Sequence, residues 1–463
     1  MSTDWTMAHR MNLRSETARG TSGSTEENVA DGGSRHPGAL RILCISPVFP
    51  PLADPEAFCG GKMVLALQKA GVDVVVLRDC PPLTSRIDPS SCWNPLADPN
   101  YEIDTSGTWN KPWALLLGGR YLSLIKGRLI RAYLRRALRS HQEKPFHLVY
   151  SRSLPMYAHI IGYWCSRALG VPWVANVNDP WDLHMCPDVT LTPPPWTRRV
   201  VAKYWLHRGL ASATLVTYPS ARLRDFHVRL SGVKHDSAIV GHVGWTCDAP
   251  RKPQPCLHFV HAGRLIDSVS NRGASSLLLG FQQFLSRHPE ARADVRMTLV
   301  GPDDAKSREV VADLHLQDTI TWKGRVSYEE SLRCIEEASV CILVEGSMKE
   351  GIYLPSKVAD YAVAGKAILA LSPANGVIAD MLPCRGLVRV DPHDAPAISE
   401  AIRHFYQLYK SGGLQSECLT DGFISQFTPA RVADTFLRVV HDAIPALPYM
   451  GDSCSRNGRS VGK

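Results

Sequence analysis

The sequence predicts an α/β protein with two Rossmann-like, doubly wound domains that face a central cleft. From Arg41 onward, short apolar runs with the length of buried parallel strands alternate with stretches of helical periodicity. The alternation stops in a Pro-rich, turn-rich segment, 241–256, and then restarts. Glycine-containing turns follow several of the predicted strands, as they do in nucleotide-binding domains. Two runs of βα units joined by a linker therefore predict two domains with a ligand site between them.

The first run of elements follows a polar segment. Residues 1–38 are rich in Gly, Ser, Thr and charged residues, so we predict that they are disordered. Residues 39–240 are predicted to form the first domain. It opens with a strand at Arg41, a loop containing two glycines, a helix over about 62–70 and a strand over 72–77. Its remaining strands are predicted at 147–150, 172–177 and 213–218.

The second run predicts a domain over 257–425. Its strands are predicted at 257–262, 296–300, 319–322, 339–344, 367–371 and 387–390. Its helices are predicted at 274–287, 307–314, 327–336 and 378–381. A last helix within 426–446 is expected to pack back on the first domain, and the tail 447–463 is expected to be flexible.

Composition narrows the class of protein and its partners. A chain of 463 residues is long enough for two soluble domains, and its net charge of +8 favours anionic partners. The thirteen cysteines form no CxxC motif, and we find no signal-peptide pattern and no run of about 18 apolar residues, so we predict a cytoplasmic protein. No recognition-helix or base-stacking motif supports a nucleic-acid role. His184, Met185 and Cys186, with His159 and His207, lack the spacing of a metal site, so no metal is predicted.

The most informative segment, 350–371, predicts a loop, a short helix and a buried strand. Ser356 is placed to cap a helix over about 357–364, which a glycine ends. Because a helix amino terminus favours anions, Lys357 in the first turn predicts a phosphate group beside it. Asp360, one turn further along, is predicted to accept hydrogen bonds from sugar hydroxyls. The segment therefore indicates a nucleotide-sugar site.

Other turns of the second domain carry related residues. They are Gly263, Arg264, Arg272, Gly301 and Arg325. Arginine offers a planar fork for phosphate oxygens, and glycine lets backbone amides approach them closely. A single turn of this kind is common in any Rossmann-like domain, but their repetition in order predicts a diphosphate site.

These motifs resemble a known family. HAGRL…NRG, the LVG turn, WKGRVSYEESL and LPSKVADYAVAGKAIL are similar to the donor half of GT-B glycosyltransferases, specifically the retaining, family 4-like group of bacterial polysaccharide and glycolipid sugar transferases. SPVFPP…GG, LALQKAGVDVVVL, YSRSLP and PWVANVNDPW are similar to the acceptor half of that group. The resemblance covers about 41–371. It implies a GT-B enzyme that moves a sugar from a nucleotide-diphosphate donor to a hydroxyl of a glycan or lipid-linked acceptor, with retention and without a cofactor or structural metal.

The resemblance assigns donor contacts to matching positions. They are Gly60, Gly61, Gly263, Arg264, Arg272, Gly301, Arg325, Leu354, Ser356, Lys357 and Asp360. Gly60 and Gly61 would face the diphosphate from the first domain, and Arg264 would bind a phosphate. Lys357 would neutralise the leaving phosphate. Arg272 stands near a position where many members carry a lysine.

The chain departs from the family at the acidic residues of this site. Asp360 matches the second acid, which usually binds the ribose. The family usually has a glutamate before it, with seven residues between the two acids, and that count places Ile352 at the first position. Glu350 lies two residues earlier and would reach the sugar only if the loop takes a different path. The predicted catalytic residues are Arg264, Lys357, Glu350 and Asp179.

Asp179, in the NDPWD segment, follows a predicted strand and points toward the cleft, so it is a candidate for orienting the acceptor. Many family members place a histidine before this aspartate, where this chain has Asn178. The alternative is an ordinary Asp-Pro turn. No carboxylate pair at glycosidase spacing stands out, so the released phosphate oxygen is the expected base.

Residues 111–139 carry eight Lys or Arg residues and no acid. Leu122, Ile125, Leu129 and Tyr133 fall at helical spacing within this segment. The pattern fits an interfacial helix on an anionic membrane, which would suit a lipid-linked acceptor and a peripheral location on the inner face of the plasma membrane. The alternative is a solvated basic face over an ordinary packed stripe.

Two other functions stay open. A non-hydrolysing nucleotide-sugar epimerase shares the GT-B architecture, but it would need acid/base carboxylates near the sugar ring. A catalytically degenerate GT-B protein would bind a partner without catalysis, and Ile352 in place of an acid favours that alternative.

Overall fold

The structure is a computed structural model. It describes residues 39–81, 84–96, 98, 102–104, 127–181, 196–247, 255–265, 273–302, 305–346 and 348–448, and the structural statements below concern these residues. Several predictions lie outside them: those for 1–38, for most of the tail 447–463, for 111–126, for Arg272, and for His184, Met185 and Cys186.

The first half of the chain forms a parallel sheet. Its strands are β1 (Arg41–Ile45), β2 (Asp73–Asp79), β3 (Glu102–Ile103), β4 (Leu148–Arg152), β5 (Trp173–Asn176), β6 (Leu215–Tyr218) and β7 (Ser237–Ile239). Its helices are α1 (Pro55–Lys69), α2 (Arg128–Glu143), α3 (Tyr157–Leu169), α4 (Trp196–Ser212) and α5 (Ala221–Ser231). The strand order is β3-β2-β1-β4-β5-β6-β7, so the chain changes direction across the sheet between β1 and β4. In open α/β sheets, ligands bind at the carboxyl ends of the strands near such a point.

The second half repeats this plan. Its strands are β8 (Leu257–Ala262), β9 (Val295–Val300), β10 (Ile320–Gly324), β11 (Val340–Val344), β12 (Ala367–Leu371) and β13 (Leu387–Val390), in the order β10-β9-β8-β11-β12-β13. Its helices are α6 (Ser275–Arg287), α7 (Ala291–Asp294), α8 (Ala305–Asp313), α9 (Tyr328–Glu337), α10 (Ser356–Val363), α11 (Val377–Asp380), α12 (Ala395–Lys410), α13 (Asp421–Ser425) and α14 (Pro429–Ala443). The direction changes between β8 and β11, which are paired neighbours.

The predicted fold class, α/β with two doubly wound parallel sheets, is confirmed. Central strands such as β12 are buried along their whole length, which is why they appear as continuous apolar runs in the sequence. The edge strands β3 and β7 were not predicted because they are too short to show a pattern. Helix α12 was also missed, although Asp394 caps it and Pro396 stands in its first turn.

Helix α1 begins earlier than predicted. It starts at Pro55, where the Asp54 side chain accepts a hydrogen bond from the Glu56 amide. Gly60 and Gly61 therefore lie inside a helix and not in a loop, so their amides are directed into the helical ladder. A Cβ on Gly61 would lie 2.6 Å from Pro50 and 2.8 Å from Trp93. The expectation that these glycines face a diphosphate is wrong for this structure, because their small size serves close packing.

Helix α10 also differs at its start. Ser356 is its first helical residue, and Pro355 occupies the cap position with no side-chain hydrogen bond. The prediction that Ser356 caps the helix is therefore wrong. The amides of the first turn have no side-chain acceptor from the cap residue, which leaves this terminus suited to an anion.

Helix α14 packs against α1, where it returns to the first half of the chain. The Phe436 ring lies 4.8 Å from the ring of Tyr150, which stands on β4. Val432, Ala433 and Phe436 are buried at this contact. The last helix therefore joins the two halves through an apolar contact.

Helix α2 turns its apolar side toward the first sheet. Leu129, Tyr133 and Ala137 are fully buried, and the Tyr133 hydroxyl donates to Asp79 Oδ1 (2.7 Å). Leu129 and Tyr133 therefore belong to an ordinary packed stripe, which was one of the two alternatives, and they do not rest on lipid. No helix in the described part of the chain is both long and apolar enough to cross a membrane.

Burial of His159 predicts acid sensitivity. Burial, with the nearby His227 and Arg152, lowers the pKa of His159 to about 3 from its usual 6.5. A lowered histidine pKa contributes stability above pH 6.5 that is lost as the pH falls toward the folded-state value. Between pH 7 and 5 the chain is expected to lose about 2 kcal/mol more free energy of unfolding than His159→Phe does. Urea unfolding of both proteins at the two pH values checks this, and an identical change in both would contradict it.

Candidate functional site

Two glycines follow neighbouring strands at the carboxyl edge of the second sheet. Gly263 follows β8 with φ +137°, and Gly301 follows β9 with φ +143°, in a region of backbone space that favours glycine. The Gly263 amide donates to the Val300 carbonyl (2.6 Å), and the Gly301 amide donates to the Gly324 carbonyl (2.8 Å). A Cβ on Gly301 would collide with the Gly263 backbone. Close approach of the two turns therefore requires glycine at both.

Lys357 completes this arrangement from α10. Its ammonium group lies so close to Gly263 that a Cβ there would collide with Nζ. Gly263, Gly301 and Lys357 together are called the glycine–lysine cradle below. Arg264 and Arg325 are exposed beside it, at the ends of β8 and β10. The cradle thus combines a cation, two side-chain-free turns and a helix amino terminus, which is the chemistry that binds a phosphate group.

The segment that enters α10 is bound to the linker and to the first half of the chain. His242 donates through Nε2 to the Leu354 carbonyl (3.1 Å), and burial lowers the pKa of His242 to about 3, so the ring is neutral. Ser356 is hydrogen-bonded with the Cys59 thiol of α1. The predicted donor residues Leu354 and Ser356 therefore lie where the two halves meet.

Asp360 is buried and already bound. Its Oδ1 accepts from Lys62 Nζ (2.8 Å), from the Trp245 amide (2.9 Å) and from the Tyr328 hydroxyl (3.2 Å). Burial raises the pKa of Asp360 in spite of the neighbouring Lys62 ammonium. In this structure Asp360 thus joins the two halves. Contrary to the prediction, its Oδ1 is already hydrogen-bonded and is not open to a sugar hydroxyl. Lys62 could not be identified as its partner from local pattern, because the two residues are far apart in the chain.

Glu350 and Ile352 take different positions. Glu350 forms ion pairs with Arg222 (3.4 Å) and Arg229 (3.0 Å) of α5. Ile352 is buried in an apolar cluster that includes Trp181, and its carbonyl accepts from Ser220 Oγ (2.9 Å). The position where the family has an acid is therefore an apolar contact with the first half, and the neighbouring acid is held by two arginines.

The first half contributes a second polar group at the carboxyl ends of β4 and β5. Asp179 follows β5 there, beside Asn178. Glu56 Oε2 accepts from the Leu154 amide (3.2 Å) and from Asn178 Nδ2 (3.4 Å). Burial and the negative charge of Asp179 raise the pKa of Glu56 well above its usual range. Glu56 was not predicted from the sequence. The only local indication of its role is its position as an acidic residue in the first turn of the helix that follows β1.

A small polar recess of about 10 Å³ lies beside these carboxyl groups, with room for one water-sized group. It is lined by Arg152, Asn176, His242 and Asn178, among others. Arg152 is buried and donates to the Tyr150 hydroxyl (2.6 Å), while Asn176 Oδ1 is buried with no hydrogen-bond partner. One donor and one unsatisfied acceptor facing a water-sized space suit a hydroxyl group. Within the described residues, no group of His, Cys, Asp and Glu is arranged to hold a metal ion.

Comparison with known proteins agrees with this architecture. The model of the glycosyl transferase 4-like domain matches residues 61–244. No curated protein matches the chain. Solved structures with the same fold include Anabaena Alr3699/HepE in complex with UDP and glucose (TM-score 0.58, 12% identity, 87% of this chain and 100% of that one). Sucrose-phosphate synthase from Thermosynechococcus elongatus has a TM-score of 0.59 at 14% identity, over 88% of this chain and 100% of that one.

A third similar structure is the pneumococcal O-GlcNAc transferase GtfA in complex with UDP and GlcNAc. It has a TM-score of 0.59 at 9% identity, over 88% of this chain and 99% of that one. At these identities the likeness establishes the fold, in which two parallel sheets meet at their carboxyl edges. The chain therefore has the GT-B architecture of these structures, and its residues 61–244 match the glycosyl transferase 4-like domain.

Proposed function

We propose that the chain transfers a sugar from a nucleotide-diphosphate sugar to a hydroxyl acceptor. The observation that carries the proposal is the glycine–lysine cradle at the amino end of α10. At the cradle, two glycine turns let the backbone approach a ligand closely, beside a cationic side chain and the amides of a helix amino terminus. These are the groups that bind a diphosphate. Alr3699/HepE and GtfA are solved with UDP, which supports a uridine nucleotide as the first donor to test.

In the proposed reaction, the bond between the anomeric carbon and the diphosphate oxygen breaks, and the acceptor oxygen forms the new bond. Negative charge then grows on the diphosphate, where Lys357, Arg264 and the helix amides stabilise it. The released phosphate oxygen takes the acceptor proton on the same face of the sugar, which yields retention. Arg272 is proposed to extend the donor contact, although it lies outside the described residues.

The acceptor is proposed to bind against the first half of the chain. Asp179 and Glu56 stand at the carboxyl ends of its strands and offer hydrogen bonds to a hydroxyl-rich molecule. The polar recess would hold one further hydroxyl between Arg152 and Asn176. Glu350, held by Arg222 and Arg229, is proposed to position the loop that precedes α10 and not to touch the sugar.

We also propose the setting of this reaction. The product would belong to cell-surface polysaccharide or glycoconjugate synthesis, made in the cytoplasm without a cofactor or structural metal. The domain limits remain those predicted: an acceptor domain over 39–240, a linker over 241–256 and a donor domain over 257–425. The segment 426–446 contains the helix that packs back on α1.

One observation favours a second function. Ile352 is buried in the first half and Asp360 is bound by Lys62, so two positions expected at the donor are used to hold the halves together. A GT-B protein that binds a partner without catalysis would have this arrangement. An epimerase has less support, because Glu56 and Asp179 lie on the opposite half from the cradle.

Incubation with radiolabelled UDP-, GDP- and dTDP-sugars and membrane extract tests these functions. We expect transfer of label to the extract from one donor, and NMR of the product should show the anomeric configuration of that donor. Heat-inactivated protein is the control. Inversion at C2 of the free donor would identify an epimerase, and donor binding with neither reaction would identify the non-catalytic alternative.

A further inference from the structure

We propose that the outer side of helices α2, α3 and α4 binds an anionic lipid surface. This side is called the membrane face below and consists of the exposed residues of Arg128–Glu143, Tyr157–Leu169 and Trp196–Ser212. The inference goes beyond the transfer reaction, because it concerns where the protein works. It differs from the stripe predicted within 111–139, whose described apolar residues face inward.

The membrane face exposes large apolar side chains that a soluble surface usually covers. On α4, Trp196 is 74% exposed, Val200 58% and Tyr204 57%. These three residues are four apart, so they lie along one side of the helix. Trp164 on α3 is 41% exposed and Leu138 on α2 is 37% exposed. Exposed aromatic side chains therefore occur on two neighbouring helices, so the exposure is not confined to a single residue.

The same face is strongly cationic. Its exposed basic residues are Arg128, Arg131, Arg135 and Arg139 on α2, Arg167 on α3, and Arg199, Lys203 and Arg208 on α4. The sequences of the three helices contain one acid, Glu143, at the very end of α2. Cations interspersed with Trp and Tyr are typical of surfaces that lie in the headgroup region of a bilayer, where ring and charge are both accommodated.

Packing places the three helices side by side. Helix α3 contacts α2 on one flank and α4 on the other. Arg208 of α4 donates to the Tyr163 hydroxyl of α3 (2.6 Å), and Trp205 lies edge-on to the Tyr163 ring. Their inner sides are buried over the first sheet, for example at Leu129, Ile160 and Leu206. The outer sides are therefore presented together on one layer of the glycosyl transferase 4-like domain.

Charge and chemistry favour a lipid surface over the other partners. A nucleic-acid duplex is bound mainly by cations at its phosphates and does not require exposed aliphatic and aromatic groups on the same helices. A second copy of this chain would bring the same positive charge to the contact, which opposes association. An anionic bilayer satisfies both the charges and the aromatic side chains.

Flotation of the full chain with vesicles tests the proposal. We expect binding to phosphatidylcholine vesicles that contain phosphatidylglycerol, and weak binding to phosphatidylcholine alone, with loss of binding as salt is raised. The variants Trp196→Ala/Tyr204→Ala and Arg131→Glu/Arg135→Glu should each weaken binding by about tenfold or more. Arg287→Glu/Arg438→Glu makes the same change in net charge on exposed residues of the second half and should bind as the unmodified chain does.

Equal flotation of all four proteins would overturn the proposal. Failure of the unmodified chain to bind both kinds of vesicle would also overturn it. Dimers that dissociate in Trp196→Ala/Tyr204→Ala, or RNA that binds more tightly than the vesicles, would identify a different occupant and also overturn it. Flotation measures vesicle binding and not turnover. A failure of the proposed transfer reaction can therefore be distinguished from a failure of the membrane proposal. Far-UV circular dichroism of each variant confirms that it is folded.

Discussion

Replacing Lys357 with alanine is expected to lower kcat/KM for sugar transfer by about two to three orders of magnitude. The ammonium group lies directly over Gly263, beside the amino terminus of α10, where the leaving diphosphate is proposed to gain charge. Because the effect is greatest when charge has developed, kcat should fall more than donor affinity. Arg264→Ala should act in the same direction, from the exposed edge of the same site.

The measurement is initial rate with the donor identified by the panel, together with donor affinity by calorimetry. Lys357→Arg should recover part of the rate, since the positive charge is kept in a different geometry. Lys234→Ala, an exposed lysine of the first half, is the matched control and should leave the rate unchanged. Near-normal rates in both Lys357→Ala and Arg264→Ala would remove the cradle from the reaction.

Replacing Lys62 with methionine is expected to lower the free energy of unfolding by about 3–5 kcal/mol. Lys62 is 2% exposed and its ammonium binds Asp360 Oδ1 at 2.8 Å, so the substitution leaves a buried carboxylate without its cation. The raised pKa of Asp360 indicates that burial costs this carboxyl more than Lys62 returns. The pair as a whole therefore adds little stability, although loss of one partner is costly.

The double variant Lys62→Met/Asp360→Leu separates these two statements. It removes both charges and should recover most of the stability lost in Lys62→Met, as measured by urea unfolding at pH 7. Arg403→Met, which breaks an exposed ion pair with Glu400, is the control and should change stability little. If Lys62→Met is as stable as the unmodified chain, the pair does not hold the halves together. If the double variant is no more stable than the single one, the account of the pair is wrong.

Much of the fold follows from local pattern. Strands such as β8, β11 and β12 are continuous apolar runs bounded by turn residues, and their order alone predicts two parallel sheets. Gly263, Gly301 and Lys357 could also be selected from the sequence, because each stands at a strand end or in the first turn of a helix. The structure brings these three together.

Boundaries and partners were harder to predict. The start of α1 depends on the Asp54 cap. Gly60 and Gly61, which were predicted in a loop, therefore lie inside a packed helix. Glu56 was missed because its altered pKa arises from burial and from Asp179, which is distant in the chain. Trp196 and Tyr204 of α4 stand at helical spacing, which is equally typical of core residues, and only their exposure distinguishes them from the core.

By itself, the sequence determined the two parallel sheets, the glycine turns at the carboxyl edge of the second sheet, and the lysine at the start of α10. These features depend on residues close together in the chain, whose periodicity and turn chemistry are visible without the fold. Only the tertiary structure decided that Lys62 binds Asp360, that Ile352 packs into the first half, and that α2, α3 and α4 share one cationic face. Such contacts join residues that are far apart in the chain, and packing, burial and charge select them only after the elements have formed.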